Sequence, residues 1–153
     1  MNSKEHLQNL YVYNDWANRR VIRALKTDPC EEALKTLCHV LVAEREYYER
    51  LFGKDSTGFD FFPDLSVDEC SEMAKENSEF YESLLKKFDD EGLGQRVRYY
   101  TSGGKPVENS FREILTHVLF HSMNHRGQIL TILRQQGHKP FELDYIIYER
   151  GLQ

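Results

Sequence analysis

The chain has 153 residues, 40% hydrophobic and 29% charged, enough for one domain over residues 1–153 whose core needs no disulfide or metal staple. Net charge is −5, and its closest approach to a basic cluster, Arg19, Arg20 and Arg23, is flanked by Asp15 and Asp28, which argues against a nucleic-acid partner. No apolar run approaches the roughly 20 residues of a membrane span, and the N-terminus MNSKEHLQNL carries no signal-peptide pattern, so no membrane association and a cytoplasmic location are expected.

In the first helical segment, Leu7, Leu10, Tyr11, Asn14, Ala17, Val21 and Leu25 step by three and four, the period of one helix face. The spacing predicts a helix from about Lys4 to Lys26. Asp28-Pro29 restarts the chain, with Asp28 as a cap, Pro29 at the first helical position and Glu31 completing a box-like arrangement. Leu34, Leu37, Cys38, Leu41, Val42 and Leu51 form the second face, and Gly53 offers a left-handed stop.

The segment from Lys54 to Leu65 holds Gly, Pro, Ser and three Phe and reads as a loop tucked onto the bundle. Ser66-Val67-Asp68-Glu69 is a capping-box sequence that opens a third helix. Met73, Phe80, Leu84 and Phe88 give that helix a face, and Gly92 is expected to end it. Residues 96–107 fit a short irregular hairpin around Ser102-Gly103-Gly104, although Pro106 disfavours a central strand.

Ser110-Phe111-Arg112-Glu113 is a second capping box. It opens a long helix through Ile114, Leu115, Val118, Ile129, Leu130 and Leu133 to Gly137, with Pro140 beyond. Leu143 to Arg150 is expected to form a short helix at the bundle end. Four helices of several turns in a chain of this length give an all-α fold, a four-helix bundle with a short hairpin before the last long helix.

Three cysteines, Cys30, Cys38 and Cys70, are odd in number and lack C-x-x-C spacing. They are read as reduced and mostly buried, with a reactive Cys38 beside His39 as the alternative.

The histidines carry the chemistry. His117, His121 and His125 are each four residues apart, and four residues rotate a helix by only about 40°. They therefore form one stripe, beside Ile114, Val118 and Ile129, with neighbours about 6 Å apart along the axis. Two imidazoles at i and i+4 can share an ion. A third ligand must come from another helix, and His39 is the only histidine in the second. His6 and His138 lie near segment ends and are expected in solvent. His117 is left outside the ligand set, because three successive ligands would stretch about 12 Å along the axis. The competing reading is a set of hydrogen-bonded core histidines without metal.

Ser122 stands where a zincin has its catalytic Glu, so His121 to His125 is not H-E-x-x-H. No histidine has a Glu three residues before it, which removes the di-iron carboxylate signature. One divalent metal, Zn²⁺, Ni²⁺ or Fe²⁺, on His39, His121 and His125 fits what remains, with open positions for water or a substrate thiolate.

His121-Ser122-Met123-Asn124-His125-Arg126-Gly127-Gln128-Ile129, followed by Leu133-Arg134-Gln135-Gln136-Gly137, resembles the hallmark of the DinB / YfiT-like family. Tyr13-Asn14-Asp15-Trp16-Ala17-Asn18, His39 to Arg45, and Pro140 to Tyr148 resemble that family's first helix, second helix and tail. The resemblance spans nearly the whole chain. It implies a four-helix bundle, often a homodimer, with a metal held by His39, His121 and His125. It also implies a small-molecule substrate and, for members of known activity, transfer or isomerisation with a low-molecular-weight thiol such as bacillithiol or mycothiol.

The leading expectation is therefore an enzyme in which a thiol is activated as thiolate for attack on a small electrophile. Metal-dependent hydrolysis, a non-catalytic metal-dependent binding or stress-response module, and a plain bundle with buried histidines are the alternatives. Arg126 is expected to form a structural ion pair or to meet an acidic cofactor, and Gly127 to permit close helix approach. Gln128 either orients an imidazole or simply packs. Trp16 is read as core. Tyr47, Tyr48, Tyr99 and Tyr100 could supply a phenol near the site, but the sequence does not place them there.

Overall fold

A computed structural model describes residues 2–151. Helix α1 covers Ser3–Thr27, α2 Glu31–Arg50, α3 Val67–Lys87 and α4 Phe111–Gln135, with a short α5 at Tyr145–Glu149. Strands β1 (Arg96–Tyr100) and β2 (Pro106–Ser110) pair antiparallel, Tyr100 opposite Pro106. Pro106 is tolerated because a two-stranded ribbon has only edge strands. No helix among the described residues is long and apolar enough to cross a membrane.

Both predicted capping boxes form. Ser66 accepts from the Glu69 amide and Ser110 from the Glu113 amide, while each glutamate reaches back to its cap residue. At α1, Asn2 and Glu5 make a third box. Start signals for α2 behave differently. That helix begins at Glu31 with Cys30 as an N-cap that makes no side-chain bond. Asp28 instead closes α1, its amide bonded to Ala24 O, and its carboxylate lies 3.4 Å from His138 Nδ1. His138, expected in solvent, has a side chain only 9% exposed.

Helix α3 stops at Lys87, where Phe88 turns extended, five residues before the glycine expected to end it. Phe88 leaves the helix to pack on Phe111, ring centroids 4.9 Å apart, and Gly92 opens a short 3-10 turn. On the expected face of α3, Leu84 is buried and Met73 and Phe88 pack against the core, but Phe80 does not. Phe80 is exposed, whereas Cys70, Ala74, Asn77, Tyr81, Leu84 and Leu85 face inward. Gly137 supplies the left-handed stop after α4, and Gly53 sits left-handed after α2, both at φ +80°.

Cross-helix contacts fix the topology. Lys4 reaches Asp90 and Lys86 while Lys26 meets Asp68, so α1 and α3 are antiparallel. Cys38 meets Cys70 and Tyr48 meets Tyr81, so α2 and α3 are parallel. His39 faces His125 and Tyr47 faces His117, so α2 and α4 are antiparallel. Parallel α2 and α3 require a crossover, which residues 51–66 provide.

Two apolar clusters fill the bundle. One, around Val21, Leu37, Leu41 and Ile129, also takes Leu143 from the tail. The other, around Tyr81, Leu85, Leu93, Leu115 and Val118, lies toward the hairpin. Where they meet, Asn14, Asn18, Glu44, Ser122 and Arg126 are buried together. Burial of these groups is offset by the bonds they make to one another, which leave only Nε and Nη2 of Arg126 unmatched among them. Glu44 Oε1 accepts from Asn14 (2.8 Å), Asn18 (3.0 Å) and Ser122 (2.8 Å). Arg126 Nη1 donates to Asn14 Oδ1 at 2.6 Å and Asn18 Oδ1 at 2.8 Å.

Candidate metal centre

Helices α2 and α4 face each other closely, and His39 projects from the first toward His121 and His125 of the second. Each of the three offers a ring nitrogen, and these atoms all lie within 4.8 Å of one another. His39 Nε2 and His121 Nε2 are 3.2 Å apart. Two nitrogens about 2.1 Å from a shared ion, at tetrahedral angles, would be about 3.4 Å apart. The spacing fits. Ring planes of His39 and His125 cross at 88°, centroids 4.6 Å apart, so the rings converge rather than stack.

Hydrogen bonds at the far side of two rings settle their tautomers. His39 Nδ1 donates to Phe61 O at 2.8 Å, and His125 Nδ1 donates to Gln128 Oε1 at 2.8 Å. With Nδ1 protonated, the neutral ring keeps its lone pair on Nε2. Gln128, one turn along α4, thus orients an imidazole rather than merely packing.

Electrostatics favour the neutral form. Burial lowers the His121 pKa to about 4, helped by His125, His39 and His117. Burial also lowers that of His39, with the Phe61 carbonyl acting the other way and His125 adding to the fall. Neutral imidazoles are the form that binds metal. The chain therefore offers three nitrogen donors of one chemical kind, and this group could hold a metal ion.

The loop between α2 and α3 contributes more than its composition suggested. Besides the Phe61 carbonyl, it lays the Phe62 ring flat on His39, 4.3 Å away with planes 4° apart. Three phenylalanines in a Gly- and Pro-containing stretch were the available signal, and which ring would cover which histidine was not readable from it.

His117 stays outside the convergence. Its ring packs 5.7 Å from that of His121 and 4.9 Å from that of Tyr47. It borders a cavity of about 260 Å³ that is also lined by Tyr47, Tyr99, Asn109, Glu113 and Ile114. In that cavity Glu113 Oε2 is committed to the Ser110 amide and to Asn109, and Tyr99 donates to Asn109 at 2.8 Å. Tyr47 and Tyr99 are thus placed beside the histidine stripe, whereas Tyr48 packs on Phe80 and Tyr81.

Other expected roles change. Among the described residues Arg126 makes no direct ion pair; Asn14 and Asn18 stand between it and Glu44. Burial lowers its pKa and Glu44 opposes that shift. Gly127 faces open space, with nothing within 4 Å of where a Cβ would sit, so helix approach does not explain it. Trp16 is half-buried against Tyr13 and Tyr148. Cys38 and Cys70 are buried with sulfurs 3.5 Å apart. The Cys70 hydrogen bond pulls the Cys38 thiol down to about 7 against the effect of burial, and the same bond pushes Cys70 up.

Comparison with known proteins agrees with this architecture. The chain is 27% identical to "Protein DinB" of Bacillus subtilis (strain 168), over 91% of each chain. No solved structure matches it. The model of the DinB family matches residues 1–152, nearly the whole length from the cap of α1 through the tail, and the chain belongs to the DinB family.

Proposed function

We propose that the chain is a metal-dependent enzyme that holds one divalent cation, Zn²⁺, Ni²⁺ or Fe²⁺, on the Nε2 atoms of His39, His121 and His125. Its substrates would be a low-molecular-weight thiol and a small electrophile. The observation that carries this reading is the convergence of these rings, two of them with Nδ1 engaged elsewhere. A bound cation supplies Lewis acidity that keeps a thiol anionic at neutral pH.

The chain's own residues do the rest. Phe61 O and Gln128 hold two rings in the correct tautomer. Phe62 covers one side of His39 and reduces water access there. The cavity beside His117 gives a small molecule room next to the triad, with Tyr47 and Tyr99 as walls. Glu113, its one carboxylate, is occupied in a helix cap, so no free carboxylate in it can act as general base. A bound cation would draw the proton from a coordinated thiol and equally from a coordinated water, so the resemblance to thiol-dependent members of the family is what favours thiol chemistry over the hydrolytic alternative.

Elemental analysis of protein purified without a histidine tag, alongside His39→Ala and His125→Ala, tests the centre. One equivalent of a transition metal in the wild type and a loss in both variants are expected. Consumption of bacillithiol, mycothiol or cysteine with electrophiles such as monobromobimane should then follow metal content. Stoichiometric metal without metal-dependent turnover across such a panel would make the protein a binding module instead. Absence of metal would leave a plain histidine network.

A further inference from the structure

Arg126 is 2% exposed, yet only half of its guanidinium is used. Nη1 is held by Asn14 and Asn18, while Nε and Nη2 are buried and, among the described residues, have no acceptor at full hydrogen-bond distance, Tyr13 making only a minor contribution to holding the charge. Those two nitrogens form one edge of the planar group, the edge whose parallel N–H bonds match the two oxygens of a carboxylate. A buried charged donor left unmatched is costly. Such an edge calls for an anion.

Arg126 also lines a groove between α1 and α4 of about 440 Å³. Leu7, Leu10, Leu119 and Met123 supply apolar walls, and Arg112 stands at the opposite end. Along α4, Arg112 and Arg126 are 14 residues apart, about 21 Å of helix. Phe120 and Met123, 63% and 51% exposed, leave the groove's outer lip apolar. The groove is separate from the histidine centre, which sits between α4 and α2.

We propose that this groove binds a medium- or long-chain monocarboxylate, with its head on the Nε/Nη2 edge of Arg126 and its apolar tail along Leu10, Leu119 and Met123 toward Arg112. Charge and shape select this class. Glu44 already places one negative charge in the network behind Arg126, so a single additional charge is better matched than a phosphate dianion. One free edge serves one planar carboxylate. Walls of this composition reward an extended apolar chain rather than a polar one. Tyr13, which lines the groove, packs against Trp16 with centroids 5.8 Å apart, so occupancy should be visible in tryptophan fluorescence.

Decanoate is titrated into the wild-type protein by calorimetry and Trp16 fluorescence, with decan-1-ol as the uncharged comparison. Both are repeated on chelator-treated protein. One saturable decanoate site, at least tenfold tighter than decan-1-ol and unchanged by metal removal, is expected. Arg126→Lys keeps the charge but loses the two-pronged edge, and should weaken decanoate at least tenfold. Since Arg126 is buried, Met123→Trp serves as the second variant. Its exposed position preserves the fold and metal content, while the larger ring fills the groove and should abolish decanoate binding. Equal affinity for the alcohol, no saturable site, or binding unaffected by Met123→Trp would each overturn the proposal. So would binding lost with the metal, because the carboxylate would then sit at the cation. A dimer in sedimentation that Met123→Glu dissociates would assign the groove to a second copy and overturn it too.

Discussion

His125 donates its Nδ1 proton to Gln128 Oε1 at 2.8 Å across one turn of the same helix. The bond spends no tertiary contact, since Gln128 is exposed and three residues away. It nevertheless decides which nitrogen of His125 can face His39 and His121. A partner of this kind typically changes metal affinity by about 10–100-fold.

Gln128→Ala should therefore weaken metal binding about tenfold, measured by competition against a chelator of known affinity. Gln128→Glu keeps an acceptor and should retain most of the affinity. Thermal stability of the metal-free variants should stay near wild type, because the position is solvent-facing. Identical affinities for wild type and Gln128→Ala would show that the bond orients nothing.

Glu44 accepts from three buried side chains and offsets the charge of Arg126. Glu44→Ala leaves those donors and a guanidinium unmatched, which should cost about 3 kcal/mol or more. For a chain of this size the thermal midpoint should fall by about 6 °C or more. Adding Arg126→Met should recover part of the loss, as expected for coupled groups. Strictly additive single-variant effects would mean that the two residues are energetically independent.

The pKa of His121 is held down at about 4, against 6.5 for an unperturbed histidine. Between those values the unfolded chain binds more protons at His121 than the folded, metal-free chain does. This contribution to stability is therefore complete above about pH 6.5 and is lost as pH falls toward 4. With chelator present, the urea midpoint should drop between pH 7 and pH 5 more steeply in wild type than in His121→Ala. Matching slopes would place the pH dependence elsewhere.

Cys38 and Cys70 are 1% and 0% exposed, and Cys30 is half-buried. A bulky thiol reagent should modify Cys30 first in the native protein and reach the other two only as the fold opens. All three should react at once in denaturant. Rapid native modification of Cys38, followed by mass mapping of the labelled peptides, would contradict the buried placement.

Local chemistry made most of the fold readable in advance. Ser66–Glu69 and Ser110–Glu113 each satisfy their own helix amides, so their spacing alone announces a helix start. The i, i+4 step of His121 and His125 places both rings on one stripe for the same reason. Where the reading failed, a distant partner intervened. Asp28 turned toward His138, Phe88 left α3 for Phe111, and Tyr81 took the inward position assigned to Phe80.

By itself the amino-acid order determined four amphipathic helices, their capped starts, and which histidines share a face, since these depend on bonds and periodicities within a few residues. It could not decide that α2 and α3 run parallel, that residues 51–66 cross over to cover His39, or that Arg126 would be left with an open edge beside an apolar groove. Those features depend on side chains separated by up to about a hundred positions. Such pairs meet only after the helices choose neighbours, and that choice belongs to the packed chain as a whole.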